Sequence, residues 1–91
     1  MPTRVKEFEI VNQKGLHARA ATAFVKVASG FESSVEVRKD GSAANGKMIM
    51  TLLILAAAKG SVVQLQIEGA DADEAMSALG ALIQSGFGED S

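Results

Sequence analysis

Apolar and polar residues alternate along three stretches of the chain, and a period of two is typical of β-strands that bury one face. In the first stretch, Phe8 and Ile10 fall on one face and Glu7 and Glu9 on the other. Each stretch therefore predicts a half-buried strand. The three segments are VKEFEIV (5–11), SSVEVRK (33–39, with Val35 and Val37 inward) and SVVQLQIE (61–68, with Val63, Leu65 and Ile67 inward).

A fourth strand is predicted from a turn signal. The pair Asp40-Gly41 directly follows the second alternating stretch. This dipeptide is typical of a two-residue hairpin loop, because both residues accept a positive φ. The short segment SAAN (42–45) is therefore the predicted partner strand, although its own pattern is weak.

Three other segments have helical spacing or length. From Ala18 to Ser29 the apolar residues recur every three or four positions, and Gly30 is predicted to end this helix with a glycine cap. KMIMTLLILAAA (47–58) is apolar nearly all round and is predicted to end at Gly60. The apolar positions predicted to be buried in these two helices are Ala21, Phe24, Val25, Ala28, Leu52 and Leu55.

The last helix has a start signal and a stop signal. Asp71 is the predicted N-cap, with Glu74 three residues later as in a capping box, and Gly86 follows the last apolar position. The ending GEDS (88–91) is expected to be a frayed acidic tail. The predicted buried stripe of this helix is Ala75, Met76, Leu79, Leu82 and Ile83.

The element order β-α-β-β-α-β-α indicates an α+β fold. Four strands with one apolar face need a cover, which three amphipathic helices can supply. We therefore predict an open-faced two-layer sandwich, a four-stranded antiparallel sheet covered on one face by three helices. The outward strand residues are mostly polar, which suits a bare second face. Residues 1–91 are expected to form one domain.

Composition excludes several function classes. The 91-residue chain has no cysteine and one histidine, which argues against disulfides and against a metal site. A net charge of −2 and 4% aromatic residues argue against nucleic acid as a partner. No apolar run approaches the ~20 residues of a membrane span, so no membrane insertion is expected. The N-terminus has no signal-peptide pattern, so we expect a cytoplasmic location.

The segment KGLHARAA (14–21) contains the single histidine, directly before the first predicted helix. The residues directly before that helix, Gly15, Leu16 and His17, are not the usual Ser, Thr, Asp or Asn caps. Its first backbone N–H groups, including those of Ala18 and Arg19, are therefore predicted to be open to an anion. Arg19 adds a permanently charged, forked donor. His17 is then a nucleophile beside a phosphoryl-binding helix start, although a lone surface histidine without a function is an ordinary alternative.

This segment resembles the active-site segment G-L-H-x-R-P-A of the histidine-containing phosphocarrier (HPr) family of the bacterial phosphotransferase system. The resemblance covers essentially the whole chain and implies the fold described above. It implies that His17 accepts a phosphoryl group at Nδ1 from a phosphoenolpyruvate-dependent enzyme I and passes it to an enzyme IIA. Arg19 would steady that group, and no cofactor or metal would be needed. The chain would be a stoichiometric carrier and not an enzyme.

Finer features of the resemblance concern the branch of the family and two departures from its pattern. MIMTLLILAAAKG (48–60) and SGFGED (85–90) look most like the nitrogen-related branch. Ala20 stands where the family usually has proline, and we expect a small change in rigidity without loss of function. Met48 stands where many relatives carry a regulatory serine, so a kinase for that serine should not modify this chain.

The resemblance also implies a partner-docking patch formed by Ile49, Met50 and Leu53. Leu16 is predicted to join this patch, with Lys14, Arg19 and Lys47 around it. Methionine suits a surface that meets several partners, because its side chain repacks easily. A monomer is expected. The main alternative is a regulatory module of the same fold that acts only by protein binding. A hydrolase with His17 as general base and a small-molecule-binding domain are weaker alternatives.

Overall fold

A computed structural model describes residues 1–88 of the chain. The elements follow the predicted order β-α-β-β-α-β-α. Their bounds are β1 (Thr3–Glu9), α1 (Ala18–Ala28), β2 (Ser34–Lys39), β3 (Ser42–Asn45), α2 (Ile49–Leu55), β4 (Val62–Glu68) and α3 (Ala72–Gln84).

The strands form a four-stranded antiparallel sheet in the order β1-β4-β2-β3. The weakly patterned SAAN segment is confirmed as a strand. Asp40 and Gly41 both have positive φ (49° and 82°), and Lys39 pairs directly with Ser42. This is the two-residue hairpin that the Asp-Gly pair predicts, because the primed turns need positive φ at their central residues.

The core lies between the sheet and the helices. The predicted inward strand residues are all buried, and α1 and α3 bury their apolar stripes, with Val25, Met76 and Leu82 partly buried. α3 packs over β1 and β4, whereas α2 packs against β2 and β3, and α1 lies against both helices. The α+β open-faced sandwich is therefore confirmed. Within residues 1–88, no helix combines the length and hydropathy of a membrane span.

The end of α1 differs from the predicted glycine cap. The helix ends at Ala28, and Ser29, in a right-handed conformation, donates its backbone N–H to Val25. Gly30 has no positive φ, and its N–H bonds to the Val27 carbonyl instead. The chain thus leaves α1 through a tightened last turn, and this glycine supplies no left-handed residue.

The second helix is shorter than predicted, because it ends at Leu55 and not near Gly60. Ala56 adopts a left-handed conformation (φ 54°, ψ 44°), and its N–H bonds to the Leu53 carbonyl. Helical spacing alone did not reveal this stop, since alanine is the best helix former. Leu52 and Leu55 are buried as predicted.

Ala56 carries conformational strain that a glycine would relieve. A left-handed residue with a Cβ is disfavoured by about 1–2 kcal/mol. We expect Ala56→Gly to raise the free energy of unfolding by about 0.5–1 kcal/mol, after the greater entropy of an unfolded glycine is subtracted. Ala58→Gly is the matched control and should not stabilise the protein, because Ala58 has no positive φ. Urea unfolding would measure both, and equal effects would contradict this account.

The start of α3 corrects the predicted capping box. Asp71 occupies the N-cap position but makes no side-chain cap hydrogen bond. Its carboxylate instead accepts the backbone N–H groups of Glu32 and Ser33, each at 2.9 Å, and the Ser33 hydroxyl. These bonds, the Ser33 hydroxyl foremost, lower the pKa of Asp71. Asp71 therefore joins the α1–β2 connection to α3, and its contribution to stability is lost only as the pH falls through its lowered pKa.

The end of α3 confirms the predicted glycine stop. Gly86 has φ 70°, its N–H bonds to Ile83, and the Phe87 N–H bonds to Leu82. This pair of bonds is a Schellman motif. It turns the chain so that Phe87 is buried in the core. Residues 89–91, most of the predicted acidic tail, lie outside the described residues.

Candidate functional site at the start of helix α1

The connection between β1 and α1 is a tight, bonded turn. The Gly15 N–H donates to the Asn12 carbonyl at 3.2 Å, and the Asn12 side-chain amide donates back to the Gly15 carbonyl at 2.8 Å. The Leu16 N–H then donates to the Ala57 carbonyl at 2.8 Å, just beyond α2. These bonds fix the backbone immediately before His17.

Gly15 is required by this geometry. Its φ is 65°, and a Cβ here would overlap the carbonyl oxygen of Ala57 and lie 2.9 Å from the Ala58 Cα. Only glycine allows the turn to approach the end of α2 so closely. The glycine before the histidine therefore sets where the imidazole emerges.

His17 itself caps α1, which corrects the prediction of an uncapped helix start. His17 has extended backbone angles (φ −84°, ψ −176°), and its Nδ1 accepts the Arg19 N–H at 3.3 Å. The first intrahelical bond runs from the Ala21 N–H to the His17 carbonyl at 2.8 Å. Residue-type preference missed this cap because histidine is not among the usual N-cap residues.

The side-chain charge within the first turn of α1 is positive. The first turn contains no acidic residue, and its only charged side chain, that of Arg19, is exposed. The N–H groups of Ala18, Arg19 and Ala20 precede the first intrahelical bond, so none has a partner in the helix ladder. The half-exposed imidazole thus lies with Nδ1 toward the positive end of the α1 dipole.

Ala20 and Ala21 are fully buried against the core. They pack one face of the first turn against the hydrophobic core, while Ala18 and Arg19 face outward. Anchoring α1 in this way fixes the direction of its first N–H groups relative to the imidazole.

A family model for the PTS HPr component phosphorylation site matches residues 5–85. The chain belongs to the HPr family of phosphocarrier proteins. It is 54% identical over 84 residues to the phosphocarrier protein HPr of Neisseria meningitidis, covering 92% of this chain and 94% of that protein. The crystal structure of HPr-C-His from Thermoanaerobacter tengcongensis superposes with a TM-score of 0.92 at 45% identity, covering 97% and 99% of the two chains. The HPr-like protein Crh of Halalkalibacterium halodurans is 44% identical over 79 residues, covering 87% and 94%.

The predicted docking residues do not all lie on one surface. Leu16 is 6% exposed and belongs to the core, so its predicted place in an exposed patch is wrong. The reason is the backbone bond to Ala57, which draws this residue under the end of α2. Ile49 and Met50 are exposed (37% and 65%), and Leu53 is partly buried.

Sequence reasoning missed Ile54, which at 77% is the most exposed large apolar side chain of α2. It lies four residues after Met50, so the two share a face of the helix. This spacing was readable from the sequence. We call Ile49, Met50, Leu53 and Ile54 the α2 patch.

Lys47 does not lie beside the histidine. Its Nζ donates to the Phe31 carbonyl at 2.7 Å, just beyond the C-terminal end of α1. Because α1 begins beside the end of α2, the two helices are antiparallel and Lys47 belongs to the opposite end of the pair. Lys47 therefore does not flank His17, whereas its place beside the docking patch stays a prediction, because it lies two residues before Ile49.

Proposed function

We propose that this chain carries a phosphoryl group on His17 within the phosphoenolpyruvate-dependent phosphotransferase system. It receives the group from enzyme I and passes it to an enzyme IIA. The observation that carries the proposal is the placement of His17 Nδ1 against the Arg19 N–H at the start of α1. Membership of the HPr family supports it.

The hydrogen bond at Nδ1 directs the lone pair of this nitrogen toward the first turn of α1. A neutral imidazole that accepts at Nδ1 has its proton on Nε2. In the transfer step, the Nδ1 lone pair forms a bond to phosphorus as the bond from phosphorus to the donor breaks. The bond from the Arg19 N–H is long at 3.3 Å, so little hydrogen bonding is lost when Nδ1 reacts.

The backbone of α1 would then bind the transferred group. The N–H groups of Ala18 and Arg19 would donate to phosphoryl oxygens, as helix N-termini commonly do for anions. The Arg19 guanidinium would add a charge-assisted bond. The same contacts would stabilise the phosphoryl group when it arrives from enzyme I and when it leaves for the enzyme IIA. The chain therefore works as a carrier that is regenerated by its partners and not as an enzyme.

The decisive experiment is incubation of the purified chain with phosphoenolpyruvate and enzyme I. We expect the intact mass to increase by one acid-labile phosphoryl group, and we expect an enzyme IIA to remove it. A chain that binds both proteins but takes up no phosphoryl group would be the regulatory module considered above. Continuous hydrolysis of phosphoenolpyruvate without an acceptor would instead indicate a hydrolase.

Donor and acceptor should dock on the α2 patch, because both must bring a reactive residue to His17. Met50→Glu should weaken binding to enzyme I and to enzyme IIA about tenfold or more, since burial of such a side chain contributes roughly 1.5–3 kcal/mol. Folding should change little, because Met50 is exposed. Titration followed by amide chemical shifts measures the binding.

Val62→Glu is the matched control for this substitution. It also replaces an exposed apolar residue by glutamate, but on β4, away from α2. We expect the Val62 variant to bind both partners as the unmodified chain does. Equal weakening by the two substitutions would show a general charge effect and would remove Met50 from the docking surface.

Three further properties belong to the same proposal. We expect a cytoplasmic, monomeric protein. The nitrogen-related branch is favoured by the segments MIMTLLILAAAKG and SGFGED. Its test is a comparison of phosphorylation rates with the enzyme I of the nitrogen-related system and that of the sugar system.

A further inference from the structure

The outer edge of β1 is open along seven residues, Thr3–Glu9. Within residues 1–88, β1 is the end strand of the sheet and pairs only with β4. Half of its backbone N–H and C=O groups therefore point away from the sheet. Such an edge is a template for another extended chain unless the protein protects it.

A groove of about 510 Å³ runs between this edge and α3. Phe8 and Met76 provide its apolar surface, and Gly80 lies directly under the Phe8 ring, where a Cβ would come within 2.7 Å. Val5 also lines the groove, although it lies on the opposite face of β1 from Phe8. The groove thus reaches the strand edge at Val5, between Arg4 and Lys6.

The groove has cations at its β1 side. Arg4 and Lys6 lie on the same face of β1 as Phe8, since each pairs with an inward residue of β4. The Lys6 Nζ lies 5.4 Å from the centroid of the Phe8 ring. Arg4 is in an exposed ion pair with Asp73 of α3 at 2.6 Å. An acidic side chain from an added strand would meet Lys6 directly.

The charge pattern disfavours a second copy of β1 as the added strand. In a two-fold antiparallel pairing, residues of the same face stand opposite each other. In a register centred on Lys6, the Lys6 side chains of the two copies stand opposite each other. In a register centred on Glu7, the two Glu7 side chains do so. A register centred on Val5 places Arg4 opposite Lys6. Like charges directly opposite destabilise a pair of strands.

We propose that this edge binds an extended acidic segment of a partner protein as a fifth strand of the sheet. Backbone hydrogen bonds supply affinity, and the alternate side chains that face α3 supply specificity, as in other cases of strand addition. Acidic residues at those positions face Lys6 and Arg4, while small apolar ones pack on Met76 and Phe8.

The edge is separate from the proposed docking surface. α3 covers the β1–β4 half of the sheet, and the α2 patch lies over the β2–β3 half. Occupation of the groove therefore leaves the α2 patch free. This inference does not depend on phosphoryl transfer, and its failure would leave the proposed function intact.

The test uses a seven-residue capped peptide of alternating Glu and Val, with the same peptide carrying Lys for Glu as its control. We expect the acidic peptide to shift the amide signals of β1 and to slow their hydrogen exchange. Lys6→Glu should weaken its binding about three- to tenfold, from the reversal of a directly opposite charge pair. Lys26→Glu, the same change on the exposed face of α1, should not.

Several results would overturn the proposal. One is equal binding of the Lys peptide, and another is a set of shifts confined to the bare face of the sheet or to α2. Absence of binding at millimolar peptide would also refute it. Shifts of β1 that grow with protein concentration alone would show that a second copy occupies the edge.

Discussion

His17→Ala should abolish phosphoryl uptake from enzyme I completely. The side chain supplies the only imidazole in the chain, and no cysteine can replace it as a nucleophile. The fold should survive, because the cap bond that His17 accepts from the Arg19 N–H is long and exposed, and its loss costs about 1 kcal/mol or less. Intact mass after incubation with phosphoenolpyruvate and enzyme I checks the first expectation, and thermal unfolding checks the second.

His17→Asn is the matched variant that separates capping from chemistry. Asparagine is a good N-cap residue, so this variant should be at least as stable as the alanine variant. It should nevertheless remain unphosphorylated, because an amide is not a nucleophile here. Acid-labile phosphate on either variant would place the phosphorylation site elsewhere and refute the proposed function. Normal partner binding by both variants is expected, since the α2 patch is unchanged.

Arg19→Ala should slow phosphoryl transfer about 10- to 100-fold. A charge-assisted hydrogen bond contributes roughly 1.5–3 kcal/mol, and each 1.4 kcal/mol changes a rate about tenfold. The Arg19 side chain is exposed, so the free energy of unfolding should change by about 0.5 kcal/mol or less. The Arg19 N–H remains in this variant, so the cap bond to His17 Nδ1 is retained. Rapid-quench measurement of the single transfer step gives the rate.

Two controls define what the arginine does. Arg19→Lys keeps the charge but loses the forked donor, so its transfer rate should lie between that of the unmodified chain and that of Arg19→Ala. Lys26→Ala removes a cation from the same helix far from His17 and should leave the rate unchanged. If Arg19→Ala transfers at the normal rate, Arg19 is a solvated surface charge and the phosphoryl group depends on backbone donors alone.

The corrections to the helix ends have a common physical origin. Local patterns find the buried face of a helix because its period is fixed by geometry, but the ends depend on which groups are nearby in space. Ala56 ends α2 in a left-handed conformation that no alanine favours by itself. Asp71 has the sequence of an N-cap, yet it binds the backbone of residues 32 and 33, which are distant in the chain.

The same distinction applies to the docking residues. Ile49 and Met50 were placed correctly on an exposed surface, and Leu53 is half-exposed. The predicted exposure of Leu16 is wrong, because this residue is buried under the end of α2, about forty residues later in the chain. The predicted position of Lys47 near His17 is wrong for a related reason. The antiparallel packing of α1 and α2 decides at which end of this helix pair Lys47 lies.

Local sequence patterns sufficed to predict the element order, the inward faces of β1, β2 and β4, the hairpin at Asp40-Gly41 and the position of His17 before a helix. These features follow from local periodicity and from residues whose backbone preferences are strong. The folded structure was needed to show that His17 caps α1 through Nδ1, that Leu16 is buried and that the β1 edge opens beside α3. The burial of Leu16 and the opening of the β1 edge depend on contacts between segments far apart in the chain, which no local pattern records. The cap is local, but histidine is not among the residues usually expected at an N-cap.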